Sequence, residues 1–229
     1  MDHSKIFDLP KLRNRVRVFR DRASAGKALA GMLEEFRSSD AVAMGIPAGG
    51  IAVAVEIAKA LHLPLDIAVV SKITLPWNSE AGYGAVAFDG TMMLNEELLS
   101  RLNLSDQEIQ TGIKKTKEKV SRRVTMFRGD RPLPDFERPI ILVDDGLASG
   151  FTLRVAIKAL RRSGAANVIL AVPTAHSESV QMILEEVEAI YCPNLRSGPS
   201  FAVADAYEQW SDLDEQEVIR LLQEFTDPN

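Results

Sequence analysis

Cysteine is almost absent from this sequence. Among 229 residues only Cys192 carries a thiol, so an internal disulfide is excluded, as is typical of proteins from a reducing compartment. Long apolar runs are missing too, since none approaches the roughly 18 residues of a membrane span. The polar and charged N-terminus predicts no signal peptide. We therefore expect a cytoplasmic protein without a membrane segment, in which Cys192 is a core thiol.

An excess of positive charge is also missing. The 27 Lys and Arg residues are outnumbered by 32 Asp and Glu residues, and the net charge of −5 argues against general binding of nucleic acid. The glycine pattern GxGxxG of dinucleotide sites does not occur. The remaining composition is ordinary for a globular protein, with 46% apolar and 26% charged residues in a chain long enough for one or two domains.

Short apolar runs alternate with helical patterns between residues 19 and 192. This alternation predicts an α/β fold with a mainly parallel twisted sheet flanked by helices. We predict an N-terminal arm at 1–18, a core at 19–192, and a C-terminal hood and helix at 193–229. Within the arm, the alternating charges of residues 13–19 indicate an edge strand.

The segment 139–164 is the most informative part of the chain. Four apolar residues, Ile140–Val143, predict a strand that is buried on both faces. Asp144 and Asp145 follow at once, and a loop of small residues then leads into a helical pattern. Such a loop offers backbone N–H groups to a phosphate, and carboxylates at a strand end can accept hydrogen bonds from sugar hydroxyls. The pattern indicates a site for a phosphorylated sugar; the alternative is an ordinary strand-to-helix turn with an acidic cap.

A second strand, loop and helix precede this segment. The apolar run 41–45 leads through Pro47, Ala48, Gly49 and Gly50 into a helix at 51–61. These glycines indicate either a second anion cradle or a turn that needs glycine for packing. The next predicted strand is at 65–71, and Lys72 follows directly at its carboxyl end. There it would either pair with an anion or be solvated.

Residues 73–94 carry turn signals. Proline, asparagine, serine and glycine between 73 and 83 predict a mobile loop. Asp89 and Gly90 predict a two-residue hairpin turn between strands at 83–88 and 91–94. Further along, Ser105 and Glu108 form a capping-box pattern that begins a helix reaching about residue 127. His176, at a helix start, is predicted to be structural rather than catalytic.

The stretch VDDGLASGFT, residues 143–152, resembles the phosphoribosyl-pyrophosphate (PRPP) motif of the type I phosphoribosyltransferases. The resemblance covers most of 19–225 and is strongest to a bacterial group whose acceptor is often unassigned. It implies that Asp144 and Asp145 hold the ribose hydroxyls and, with Lys72, act in catalysis. The loop that it implies for the 5-phosphate consists of Leu147, Ala148, Ser149, Gly150, Phe151 and Thr152. Gly146 departs from the usual branched apolar residue of that motif.

The same resemblance implies the rest of the reaction machinery. Ala48, Gly49 and Gly50 would form the pyrophosphate loop, although Ala48 stands where a basic residue is common. The hairpin at about 73–94 would be a flexible lid. Acceptor contacts would come from the lid and the hood, through Trp77, Glu80, Phe201 and Tyr207. Mg²⁺ would be bound through PRPP and water, without a dedicated protein ligand set, and the protein would be a homodimer.

The resemblance thus implies displacement of pyrophosphate from C1 of PRPP by a nitrogen nucleophile such as a nucleobase. The alternative is a sensor of PRPP or nucleotides that regulates expression by binding RNA or DNA with little or no transfer. Its contact would be the basic segment 13–22 or the basic face of the helix after Ser105. Ala48 favours this alternative, and the net acidity argues against it.

Overall fold

Short apolar strands form the centre of the computed structural model, which describes residues 5–226 apart from the side chains of Ser79 and Glu80. Within those residues the strands are β1 (Ile6–Phe7), β2 (Val42–Gly45), β3 (Leu65–Ile67), β4 (Val70–Leu75), β5 (Asn78–Ala87), β6 (Met92–Leu94), β7 (Ile140–Val143), β8 (Val168–Ala171), β9 (Thr174–His176), β10 (Ala189–Tyr191) and β11 (Asn194–Arg196). The α-helices are α1 (Arg22–Met32), α2 (Gly49–Leu61), α3 (Glu96–Leu99), α4 (Asp106–Arg128), α5 (Phe151–Arg162), α6 (Ser177–Ile183) and α7 (Glu215–Thr226).

Six strands form one parallel sheet in the order β1-β10-β8-β7-β2-β3. The apolar run Ile140–Val143 is strand β7, and it lies between β8 and β2 with Val143 opposite Ala171 on one side and Gly45 on the other. This sheet, with helices on both of its faces, confirms the predicted fold class. The resulting carboxyl edge is where ligands bind in open α/β sheets.

The side chains of β7 alternate between the two faces of the sheet. Ile140 and Leu142 pack in the cluster that includes Leu153, Ile157 and Leu160 of α5. Ile141 and Val143 pack in the opposite cluster, which includes Leu29 of α1 and Val53 and Ile57 of α2. Each such side chain contributes about 1.5–3 kcal/mol on burial. The four consecutive apolar residues are thus explained by burial on both faces.

The chain leaves the parallel sheet earlier than predicted. The expected strand at 65–71 is divided, because β3 ends at Ile67 and the chain then enters a three-stranded antiparallel sheet of β4, β5 and β6. Lys72 therefore lies inside β4 and pairs with Ala85 of β5 rather than ending a parallel strand. The residues predicted as a loop at 73–83 are also mostly strand, joined by a turn at Pro76 and Trp77. The second turn is confirmed in position at Asp89 and Gly90, but it is longer than the two residues predicted, because Ala87 N bonds to Thr91 O and β6 begins only at Met92.

The predicted edge strand at residues 13–19 is wrong. Asn14 and Arg17 have positive φ angles, which breaks an extended conformation. The backbone of this segment bonds to the C-terminal part of the chain instead, with Arg17 N donating to Asp205 O at 2.7 Å and Phe19 N to Ala206 O at 3.0 Å. Earlier residues of the predicted arm form β1, the edge strand of the parallel sheet beside β10.

Helix α4 packs on the antiparallel sheet, and α7 packs against α2 and α4. The capping box at Ser105 and Glu108 is confirmed, and α7 begins with a similar reciprocal pair, Asp214 and Glu217. Apolar residues of both helices join one cluster with Ile73 and Tyr83 of the sheet. Within residues 5–226, no helix is both long and apolar enough to cross a membrane.

Candidate functional site

Two loops leave adjacent strands at the carboxyl edge of the parallel sheet. Gly45 of β2 is level with Val143 of β7, and Ile46 N donates to Val143 O at 2.8 Å. Each loop then feeds a helix, α2 after β2 and α5 after β7. The N-termini of both helices and the acidic pair consequently lie at one edge of the sheet, where positive helix-dipole ends favour an anion.

Glycine allows these loops to touch. A Cβ atom added to Gly49 would lie 1.8 Å from Asp145 Oδ2, and one added to Gly50 would lie 2.6 Å from Val143 O and 2.9 Å from Asp144 Cα. These distances are far below van der Waals contact, so a side chain at either position would push the loops apart. Close packing therefore explains both glycines, and it also brings the start of α2 against the acidic pair.

Asp145 is held by partners from distant parts of the chain. Its Oδ2 accepts a hydrogen bond from Arg22 Nε at 2.8 Å, and its backbone oxygen accepts one from Tyr207 Oη at 2.6 Å. Burial raises the pKa of the Asp145 carboxyl, and the positive charge of Arg22 opposes that rise. The ion pair fixes the carboxylate at the end of β7.

Asp144 has a different environment. Burial raises its pKa well above the usual range, and the neighbouring charge of Asp145 raises it further, while Lys72 and Arg22 act in the opposite direction. Its Oδ1 accepts a hydrogen bond from the Asp145 backbone N at 2.9 Å. Asp144 therefore holds its proton more tightly than Asp145, which has the direct cationic partner.

The loop after the acidic pair is only partly bonded to the protein. Leu147 N donates to Thr174 O at 2.9 Å, and Ser179 Oγ donates to the carbonyl of Ala148. Among the described residues, the backbone amides of Ala148, Ser149 and Gly150 have no hydrogen-bond acceptor. Gly150 has φ +72° and precedes the first residue of α5. These amides and the helix N-terminus form a cup suited to a phosphate.

One cleft of about 280 Å³ combines the acidic pair with this cup. Its lining consists of Lys72, Asp144, Asp145, Gly146, Leu147, Ala148, Ser149, Gly150, Phe151, Thr152, Leu153, Val203 and Trp210. The structure thus brings together the three predicted catalytic residues and all six residues predicted to hold the 5-phosphate. Gly49 and Gly50 lie behind the acidic pair, in the contacts described above.

The residues predicted to contact an acceptor do not meet in this cleft. Trp77, 64% exposed, lies at the hairpin turn and lines a separate cavity of about 630 Å³ between the hairpin and α4. Phe201 lines another cavity, of about 640 Å³, with His176, Ala148 and Ser149. Tyr207 is buried, and its hydroxyl is occupied by Asp145. The side chain of Glu80 lies outside the described part of the chain.

Two residues of the site were missed at the sequence level. Arg22 was considered only as part of the basic segment 13–22, yet it is buried and paired with Asp145, 123 positions away. Trp210 lies in the predicted hood and was given no role, yet it lines the cleft and its ring centre lies 3.9 Å from Cζ of Arg22. One general indication of such a residue was present in the sequence. Two carboxylates that follow a buried apolar strand need a cation nearby, but the pattern does not tell which residue supplies it.

Three arginines of the basic segment 13–22 are paired with carboxylates of the protein. Arg13 pairs with Asp8, Arg20 pairs with Asp21, and Arg22 is buried against Asp145. On α4, Arg122 and Arg123 both pair with Glu215. Four lysines of that helix stay exposed, at 114, 115, 117 and 119, as on an ordinary solvated helix face.

Two residues that the sequence analysis set aside from catalysis are engaged with the protein. His176 Nε2 lies 3.0 Å from Gly198 O, which fits a structural role. Cys192 is buried, and burial raises the pKa of its thiol. It is a core thiol, because a thiol with a raised pKa is a poor nucleophile.

Comparison with known proteins adds to this geometry. A family model described as "Phosphoribosyl transferase domain" matches residues 89–196. Two curated proteins of Mycobacterium tuberculosis, from strains CDC 1551 / Oshkosh and H37Rv and each named "putative phosphoribosyl transferase", are 32% identical to the chain over 210 residues. That match covers 90% of the chain and 47% of either relative, so the chain spans about half of their length.

A solved structure is similar over most of its own length as well as most of this chain. The crystal structure of the protein TT1426 from Thermus thermophilus is 30% identical in sequence, with a TM-score of 0.69. The match covers 90% of this chain and 98% of TT1426. The likeness therefore extends over most of both chains rather than over the sheet alone.

Proposed function

The chain belongs to the phosphoribosyltransferase family, and we propose that it transfers the 5-phosphoribosyl group of PRPP to a nitrogen nucleophile. In the proposed reaction the nucleophile forms a bond to C1 of the ribose. The bond between C1 and the pyrophosphate oxygen breaks, and pyrophosphate leaves with the electron pair. The proton lost by the nitrogen passes to solvent or to the leaving group.

The observation that carries this proposal is the single cleft of about 280 Å³ described above. It combines two adjacent carboxylates, three unoccupied backbone amides at the start of α5, and the exposed Lys72. Each part suits one feature of PRPP: carboxylates accept from the vicinal hydroxyls, amides donate to the 5-phosphate, and cations face the pyrophosphate. An ordinary strand-to-helix turn would have no need for this combination.

We assign the roles as the sequence suggested. Asp144 and Asp145 hold and orient the ribose. Residues 147–152 hold the 5-phosphate. The N-terminus of α2, with Ala48, Gly49 and Gly50, faces the pyrophosphate together with Lys72. Because the transition state develops positive charge on the ribose ring, a carboxylate close to the ring stabilises it electrostatically.

Mg²⁺ fits the chemistry of the donor set at the cleft. Carboxylate oxygens are ligands that this ion accepts, and it commonly keeps several waters while it is held by substrate phosphates. As expected from the sequence, PRPP and water would supply most of its ligands, with Asp144 and Asp145 as the carboxylates of the cleft beside it. When bound, the ion would offset the charge that develops on the departing pyrophosphate.

The acceptor site is the part of the proposal that changes most from the sequence analysis. Tyr207 is buried and Trp77 lines a different cavity, whereas Trp210 is 38% exposed and lines the cleft itself. We therefore propose Trp210 as the aromatic surface on which the acceptor stacks. A stacked base would contribute on the order of 1–3 kcal/mol. A nucleobase remains the acceptor class that we predict.

The regulatory alternative has no support from the charged residues. In the segment 13–22, Arg22 is buried against Asp145, and Arg13 and Arg20 already pair with carboxylates of the protein at its surface. A homodimer and a cytoplasmic location stay predictions from the sequence.

The experiment that tests the proposed function measures pyrophosphate release from PRPP and Mg²⁺ with a panel of nucleobases, ammonia and simple amines. We expect one acceptor class to give PRPP-dependent release. The matched control is Asp144→Asn, in which the side-chain shape is kept and the charge removed. Release that is equal in both proteins, or absent with every acceptor while PRPP fails to bind, contradicts the proposal.

A further inference from the structure

We propose, on the basis of the phosphoribosyl transfer proposed above, that Arg22 binds the pyrophosphate end of PRPP and at the same time positions Asp145 for the ribose. One guanidinium group would then connect the two ends of the reaction centre. Its side chain comes from α1, outside both of the loops that form the cleft.

The position of Arg22 is fixed by its own helix. It is the first residue of α1, and the preceding residue, Asp21, caps that helix in a reciprocal pair with Ser24. The side chain then runs inward and is only 10% exposed. Its guanidinium lies against the ring of Trp210, with Cζ 3.9 Å from the ring centre. A buried charge of this kind needs a function or a full set of partners.

The hydrogen bonds of the guanidinium account for two of its three nitrogens. Nε donates to Asp145 Oδ2 at 2.8 Å, and Nη1 donates to Ser211 O at 2.8 Å. Nη2 has no acceptor among residues 5–226, and it is not among the atoms there that are both buried and unpartnered. It is therefore not completely buried, and it is the nitrogen of this group that can donate to a ligand.

The guanidinium lies at the start of α2. A Cβ atom added to Gly49 would be 2.9 Å from Arg22 Nε, so the group rests against the first residue of that 13-residue helix. The N-terminal amides of α2 and the positive end of its dipole favour an anion at this place. Ala48, which precedes the helix, contributes no charge and no side-chain cap. Arg22 thus adds a cationic donor beside the N-terminus of α2, a charge that Ala48 in the loop before α2 does not supply.

Charge balance indicates which anion the site takes. Asp145 already neutralises much of the charge on Arg22, so the pair alone has little attraction for a distant anion. Nη2, which has no acceptor among residues 5–226, gives a directed donor instead, and planar guanidinium groups match phosphate oxygens in geometry. Lys72 is a further cation whose charge acts on Asp144, and it lines the cleft that holds the acidic pair. A phosphate group with several charged oxygens, such as pyrophosphate, satisfies both donors.

The test compares two ligands that differ only at C1. PRPP carries pyrophosphate there, whereas ribose 5-phosphate does not. Calorimetric titration with each ligand and Mg²⁺ is made on the wild type, Arg22→Lys and Arg22→Gln. Lysine keeps a positive charge beside Asp145 but cannot supply the directed donors of a planar guanidinium. Arg128→Gln is the matched control, because Arg128 is also buried and paired with a carboxylate, Asp66, outside the residues that line the cleft.

We expect Arg22→Lys to lower the affinity for PRPP by about 10-fold or more, which corresponds to the loss of one hydrogen bond to a charged group. In Arg22→Lys, the affinity for ribose 5-phosphate should change by less than about threefold. Arg128→Gln should change the affinity for neither ligand. Equal weakening of both ligands would overturn the pyrophosphate contact and leave Arg22 a structural partner of Asp145. Unchanged PRPP binding would overturn it as well.

Failure of the broader proposal gives a different result. A wild type that binds neither PRPP nor ribose 5-phosphate would refute phosphoribosyl transfer itself, and the role of Arg22 with it. If Arg22→Gln does not fold, because Asp145 is left buried without its cation, Arg22→Lys decides the question. Melting temperatures of all variants are measured beside the titrations.

Discussion

Gly49 and Asp145 are in such close contact that a methyl group on Gly49 would lie 1.8 Å from the carboxylate oxygen Oδ2. The contact joins the loop after β2 to the loop after β7. It also joins the N-terminus of α2 to the residue that anchors Arg22. The separation between the proposed ribose and pyrophosphate subsites is therefore set by the absence of a side chain at position 49.

We predict that Gly49→Ala disrupts the site. The new methyl group must displace either the carboxylate or the start of α2, and overpacking of this kind costs about 1–3 kcal/mol of unfolding free energy. PRPP affinity should fall as well. Chemical denaturation and ligand titration measure the two effects.

Gly31→Ala is the matched control for this change. Gly31 lies within α1, and a Cβ atom there would meet nothing within 4 Å. Alanine should stabilise the helix by up to about 1 kcal/mol and leave PRPP binding unaltered. If both alanine variants behave alike, contact between the loops does not control the site.

Gly150 gives a second prediction, at the phosphate cup. It has φ +72°, and an added Cβ would lie 2.9 Å from the side chain of Ile183. Gly150→Ala should therefore be less stable than the wild type and should bind both PRPP and ribose 5-phosphate more weakly. Gly90→Ala is the control, since Gly90 has φ +83° but open space around its Cβ position. Gly90→Ala should lose only the unfolding free energy that backbone strain costs, about 1 kcal/mol. Its affinity for both ligands should equal that of the wild type.

Much of this arrangement follows from local sequence. The strand β7, the acidic pair, the loop and α5 are contiguous, so one stretch of chain contains the apolar run, the carboxylates and the helix that together make the cup. The parallel sheet was predictable for a related reason. A strand that is buried on both faces must be apolar at every position, and all four residues of Ile140–Val143 are apolar and buried.

The parts that could not be predicted depend on tertiary contacts. Arg22 meets Asp145 across 123 positions, and nothing near Arg22 distinguishes it from the solvated arginines around it. Tyr207, predicted to contact an acceptor, is buried and bonded to Asp145 O, and residue type alone does not tell whether an aromatic ring faces a cleft or supports it. The loop predicted at 73–83 was misjudged because Gly82 lies within a strand pair, opposite Thr74, rather than in a turn.

The two aspartates should respond differently to loss of charge. Asp145→Asn leaves Arg22 buried without its anionic partner, and breaking a buried pair in this way costs about 3–5 kcal/mol. Asp144→Asn removes a carboxyl group that burial disfavours in its charged form, so its unfolding free energy should be equal to that of the wild type or higher. Urea denaturation at neutral pH distinguishes the two. Equal losses would mean that Arg22 does not depend on Asp145.

The pH dependence of stability should identify Asp144. Its folded pKa is raised, so the folded state binds the proton more tightly than the unfolded chain. Its contribution is most favourable below the unfolded pKa of about 3.9 and is lost as pH rises through the folded pKa. The wild type should therefore lose stability relative to Asp144→Asn over that interval. A difference between the two proteins that does not change with pH would contradict the raised pKa.

Tyr207→Phe should separate support of the site from contact with the acceptor. The variant keeps the buried ring and removes the hydrogen bond to Asp145 O, at a cost of about 0.5–1.5 kcal/mol in unfolding free energy. Because the hydroxyl faces the protein, the KM for the acceptor should change no more than the KM for PRPP. A selective rise in the acceptor KM would show that Tyr207 contacts the acceptor after all.

The most direct measurement is a calorimetric titration of PRPP with Mg²⁺ into the wild type and into Asp144→Asn. The variant is expected to be folded and at least as stable, so a change in affinity can be assigned to the lost carboxylate. We predict saturable binding to the wild type and affinity weaker by about 10-fold or more in the variant, as for loss of a charged hydrogen bond. Equal affinity in both proteins, or no binding to the wild type, would contradict the assignment of this cleft to PRPP.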